Sequence, residues 1–247
     1  MVSLIFIGMI FETFIVAIAI FLLALILNKY YIKRHKLTLY LLIIFINITL
    51  AIIFSWISKI LGVFYEELGL YYYPDNSITP PITIEAWFIT RILDFRISFI
   101  FFGIGMYFSY ILKVKLFEKD YNNRNLIFFS IYFIFTEIFS LFVYFRGNDL
   151  VDALAFLFIF LLVLIVYLPL TYKIYRSYRG TDLLSYKKGF LSLTIMGFCF
   201  IFVLMGFLID RILIVLGDPG FTFFYFLSWS VAIIGIISAY LGYIRPK

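Results

Sequence analysis

"AWFITRILDFRISFIFFGIGMYFSYIL" (86–112) is long and apolar enough to cross a bilayer as one helix, yet its first half carries Arg91, Asp94 and Arg96. A spanning helix needs about 20 mostly apolar residues at a rise of about 1.5 Å each. An Arg or Asp near the bilayer centre costs about 2.5–3.5 kcal/mol on insertion scales, so such side chains must face a bundle interior, a water-filled cavity or one another. A lone helix cannot shelter three of them. The stretch therefore predicts a span packed among other spans.

The same ruler finds six more segments, at 3–27, 37–62, 126–145, 150–172, 190–216 and 222–244. The expected fold is all-α, a polytopic bundle of seven transmembrane helices. A single domain over 1–247, with no soluble domain attached, is the expectation. Composition agrees: the 247 residues are 65% hydrophobic, 23% aromatic and 14% charged, with a mean hydropathy of +1.09. Soluble domains run near 45–50% apolar and about 25% charged. The first segment is no signal peptide, because it lacks a basic n-region and its apolar run is too long.

Fifteen of the twenty Lys and Arg residues fall in "NKYYIKRHK" (28–36), "KVKLFEKDYNNRN" (113–125), "KIYRSYRGTDLLSYKKG" (173–189) and "RPK" (245–247). All four lie on the side reached after an odd number of spans. The positive-inside rule makes that side cytoplasmic, which puts the N-terminus outside and the C-terminus inside a cell membrane. The net charge of +6 is then a topology signal with some attraction to anionic lipid, so the lipid bilayer is the expected partner and nucleic acid is not.

Cys199 is the one cysteine and His35 the one histidine. That excludes a disulfide framework, catalytic zinc and Cys-His nucleophile pairs, and no metal or other cofactor is expected. The last span has no lysine for a retinal Schiff base. "EELGLYY" (66–72) lacks the histidine and arginine context of a membrane metalloprotease, and no Gly-x-Ser-Gly motif is present. A non-enzyme is the expectation.

If 86–112 is one continuous helix, Arg91, Asp94 and Ser98 share a face, and Arg96 points about 140° away from Arg91. Arg91 then lies about 8 Å, and Arg96 about 14 Å, below the outer surface. Glu12 and Glu137 reach similar depth, Lys59 closes the outer end of the second span, and Asp210 with Arg211 closes that of the sixth. Two readings follow. The eight form an outward-facing ligand site, with Arg91 and Arg96 gripping an anion while Asp94 and Glu137 orient them. Alternatively, four acids and four bases neutralise one another as a structural network.

The long outer loop "VFYEELGLYYYPDNSITPPITIE" (63–85) offers Tyr71, Tyr72 and Tyr73 as a lid or as an interfacial aromatic belt. In the last span, Ser228, Ala232, Gly235, Ala239 and Gly242 form a small-residue seam for helix packing, within the bundle or between two copies in a homodimer. A stripe of Ser192, Cys199, Gly206 and Asp210 suits the path of a small-solute transporter or channel.

Seven spans, an outside N-terminus, a long loop before the third span and the closing "AYLGYIRPK" (239–247) resemble the seven-helix membrane sensor modules of archaeal and bacterial histidine kinases and related signalling proteins. The resemblance implies a receptor that senses a small polar or anionic ligand and acts through a cytoplasmic or membrane signalling partner. It carries no functional residues over. A structural subunit of a membrane complex is the further alternative.

Overall fold

A computed structural model describes residues 2–71, 79–117, 123–145 and 147–244, and among them the chain is helical, with no strand. The helices are α1 (Val2–Lys33), α2 (Lys36–Val63), α3 (Ile84–Leu93), α4 (Arg96–Phe117), α5 (Asn123–Phe142), α6 (Asp149–Arg179), α7 (Leu184–Val215) and α8 (Phe223–Ile244). All but the ten-residue α3 contain a stretch long and apolar enough to cross a membrane. Their outward faces are hydrocarbon: Phe14, Phe21, Ile131 and Ile138 are each more than half exposed. A surface of that kind is stable against lipid and not against water.

Packing follows a ring. Around it, α1 lies against α2, α2 against α4, α4 against α6, α6 against α7, α7 against α8, and α8 closes on α1. α5 sits outside the ring in the groove between α4 and α6, and it buries only Phe129, Thr136 and Ser140. α6 supplies the driest wall: Ala155, Ile159, Leu162, Val163 and Val166 are fully buried. Their spacing is the inward stripe of a 3.6-residue helix.

Caps mark where helices begin. His35 Nδ1 accepts from Leu37 N (3.3 Å) at the start of α2, Thr83 Oγ1 from Ala86 N (3.2 Å) at α3, and Asn148 Oδ1 from Val151 N (3.2 Å) at α6. Each satisfies a backbone donor that the first helical turn leaves open. The lone histidine is thus a cap.

The expected continuous span 86–112 is corrected. The helix ends at Leu93, Asp94 caps it, and a new helix starts at Arg96. Phe95 between them has φ 61°, the left-handed conformation that closes helices. Asp94 N bonds Thr90 O (3.2 Å) and Phe95 N bonds Ile92 O (3.1 Å), completing the stop. No Gly or Pro announces it. The third span therefore begins at Arg96, which opens the helix instead of lying deep within it, and the shared face of Arg91, Asp94 and Ser98 does not form.

Candidate functional site

The break swings both arginines toward the end of α5. Arg91 Nε donates to Leu141 O (2.9 Å) and Arg96 Nη1 to Ser140 O (3.4 Å). These are two of the last carbonyls of α5, which have no partner inside their own helix. Cations there also suit the negative end of the helix dipole. Arg96, fully buried, is ion-paired to Asp152 of α6. Arg91 lies over the Trp87 ring at 3.8 Å, and the Tyr144 hydroxyl donates to Asp94. The cluster clips α3, α4, α5 and α6 together and engages both arginines, although Arg96 Nε is buried with no hydrogen-bond partner among the described residues.

A second cluster joins α1, α2 and α8. Glu12 of α1 is fully buried and pairs with Lys59 of α2 at 2.9 Å. It also accepts from Ser55 Oγ (3.1 Å) and from the Tyr225 hydroxyl of α8. Lys59 Nζ donates further to Ser55 O (3.2 Å) and Ser55 Oγ (3.0 Å), so its three donors are used. Burying both ions costs several kcal/mol each, and only such complete pairing offsets it.

Inside the ring lies a cavity with a volume of ≈ 100 Å³. Its walls are apolar, with Ile48, Phe99, Phe102, Phe200, Phe207 and Ile236 among them, and α2, α4, α6, α7 and α8 all contribute. Polar groups gather at one end: Ser55, Lys59, Ser98, Asp210, Arg211 and Tyr225. Phe95, turned inward by its left-handed backbone, roofs this end with its ring 3.8 Å from Lys59 Nζ and 5.0 Å from Arg211 Cζ. Asp210 Oδ1 accepts from Thr222 N (2.9 Å) and Thr222 Oγ1 (2.7 Å). Ser98 Oγ and Trp229 Nε1 are buried at the cavity with no hydrogen-bond partner among the described residues. Natural interiors leave few such groups unmatched.

Of the eight ionisable residues singled out above, Lys59, Asp210 and Arg211 line this cavity. Glu12 stands behind Lys59. Arg91, Asp94 and Arg96 belong to the α5 clip. Glu137 stands apart: its carboxyl packs against Gly103 of α4, and both oxygens are buried without a hydrogen-bond partner among the described residues. The partner of Arg96 is Asp152, which in sequence reads only as an acid suited to the first turn of a helix. Phe95, Tyr225 and Trp229 are not marked in the sequence, because one more aromatic in an apolar span carries no signal. Tyr71 is exposed and lies away from the cavity wall. Tyr72 and Tyr73 fall outside the described residues.

The small-residue features meet each other. A Cβ on Gly235 would stand 3.0 Å from Cys199 Cβ, and one on Gly242 would stand 2.5 Å from Leu193 Cγ and 3.1 Å from Gly189 O. Gly206 of α7 faces Ser228 and Phe224 O of α8. Ser228, Ala232 and Ala239 are buried with them. The seam is thus filled by α7, and Cys199 and Gly206 of the α7 stripe serve that contact. Of that stripe only Asp210 reaches the cavity.

No family model, no curated protein and no solved structure matches the chain.

Proposed function

We propose that the protein is a receptor- or sensor-like membrane protein that takes a small ligand into the chamber at the centre of its helical ring. One observation carries the reading: an apolar cavity whose polar end holds a buried hydroxyl, Ser98 Oγ, with no hydrogen-bond partner among the described residues. Apolar pockets with a few convergent polar groups are the usual form of small-molecule sites. By the positive-inside rule the polar end faces outward, and the basic loops at the other end are the surface for a cytoplasmic or membrane signalling partner. Five helices line the chamber, so a ligand there touches most of the ring and can bias how its helices pack.

A second reading, a transporter or channel, draws on one feature. A smaller void beside Ser109, Tyr167 and Tyr243 shares Ile48 and Phe200 with the main cavity. Alternate access from both faces would need that partition to open.

Thiol accessibility tests both. In a Cys199→Ser background, cysteines replace Ser98 in the cavity or Ser109 in the smaller void. Oriented vesicles are then treated with a membrane-impermeant thiol reagent from either side. Labelling of the Ser98→Cys protein from outside alone supports the receptor. Labelling of both sites from both faces supports the transporter. A folded protein labelled at neither site from either face would sink the cavity as a ligand site.

A further inference from the structure

We infer that the ligand is a small anion with an apolar, ring-sized body, and that Arg211 is the residue that anchors its charge. The inference rests on the cavity being a ligand site and names the chemistry that site selects.

The charges around the chamber differ in what they have left to offer. Lys59 has spent its donors on Glu12 and Ser55, and Asp210 is held by Thr222, which donates twice to its Oδ1. Arg211 makes no hydrogen bond and no ion pair with the described residues. Its guanidinium rests against two rings, with Cζ 5.0 Å from the Phe95 centroid and 5.0 Å from that of Phe156. Ring contacts engage the π-face and leave the N–H edges free. Those edges are the fork that a carboxylate or phosphate accepts in a bidentate grip. Ser98 Oγ, on a residue 7% exposed, adds a second unclaimed donor at the same chamber.

The remainder of the ligand is set by the walls. Phe99, Phe102, Phe200 and Phe207 offer no hydrogen bond to a polar body. An apolar protein cavity of about 150 Å³ accommodates benzene, and this one measures ≈ 100 Å³. A single ring is therefore the upper limit of the ligand's body: it enters only as the walls yield, with its carboxylate head outside that volume at Arg211. A neutral amide of the same shape accepts through one carbonyl oxygen where a carboxylate accepts through two and adds its charge, and a cationic molecule places like charge against Arg211.

Three probes of nearly one shape decide the matter: 4-fluorobenzoate, 4-fluorobenzamide and 4-fluorobenzylamine. Each is titrated against the full-length protein in nanodiscs of zwitterionic lipid and read by ¹⁹F NMR, with empty nanodiscs as the partition control. The expected result is that benzoate binds at least tenfold tighter than the other two. Arg211→Gln should abolish that preference, with benzoate losing far more affinity than benzamide, and Ser98→Ala, which keeps the cation and the fold, should weaken benzoate severalfold. Equal binding of all three probes, a preference for the amine, or a preference that survives Arg211→Gln would overturn the inference. If no probe binds while the Ser98→Cys protein is labelled from outside, the ligand class is wrong and the cavity reading stands. If no probe binds and that cysteine is also unreactive from either face, both fail together.

Discussion

Glu12 and Lys59 are buried ions with complementary partners, and single substitutions should reveal how far each depends on the other. Glu12→Gln or Lys59→Met alone leaves a buried charge uncompensated, with an expected loss of about 3–5 kcal/mol. The double variant should recover most of that, because neither charge remains. Unfolding of the four proteins in detergent measures the cycle, and simple additivity would mean the pair is not coupled. Glu137 predicts the opposite sign. Its carboxyl oxygens are buried without donors among the described residues, and leaving such a group unsatisfied costs about 1–3 kcal/mol. Glu137→Met, similar in length and apolar, is therefore expected to raise the unfolding midpoint. A fall would show that the carboxyl has a partner. Which of the buried charges are bound and which are free could not be read from the sequence. Glu12, Asp94, Glu137 and Asp210 are alike as acids in apolar spans, and only their neighbours across helices distinguish them.

At the scale of elements, the stop at Asp94–Phe95 decides the site. It turns Arg91 and Arg96 onto the end of α5 and Phe95 into the cavity. A phenylalanine at φ 61° holds a conformation costing about 1–2 kcal/mol for a residue with a Cβ, and strain of this kind gathers at functional sites. Phe95→Ala and Phe95→Gly both delete the ring, but only glycine relieves the backbone. The glycine variant should thus be the more stable by about 1 kcal/mol, and equal midpoints would mean the turn relaxes once the ring is gone. Helix existence was legible throughout, because apolar runs of this length permit little else in a bilayer. The break was not, since sequence signals for stopping a helix are Gly and Pro, and here a tertiary anchor takes their place. The α7–α8 seam belongs to this scale too. Gly235→Val drives a branched side chain against Cys199, so it should lower the unfolding midpoint, as overpacking typically costs about 1–3 kcal/mol. Light scattering should show an unchanged oligomeric state; dissociation of a dimer would place the seam between copies instead.

For the whole molecule, the distribution of Lys and Arg predicts a single orientation. In the Cys199→Ser background, a cysteine at Asp182, exposed in the α6–α7 connection, should react with an impermeant maleimide only from the cytoplasmic face. One at Asp218, exposed in the α7–α8 connection, should react only from outside. The reverse pattern would invert the topology and with it the side from which the cavity is reached. The sequence by itself determined that the chain is a bundle of seven long apolar helices, because the need to satisfy every backbone group in hydrocarbon leaves the helix as the response to such runs. It also marked Lys59, Asp210 and Arg211 as costly residues in need of a reason. The tertiary structure alone decided the ring order, the placing of α5 outside it, and the division of eight charges into a clip, a buried pair, a solitary carboxyl and a cavity end. Those outcomes depend on which helix faces which. Contacts between helices are set by side-chain packing across segments far apart in the chain, and no local pattern of residues records them.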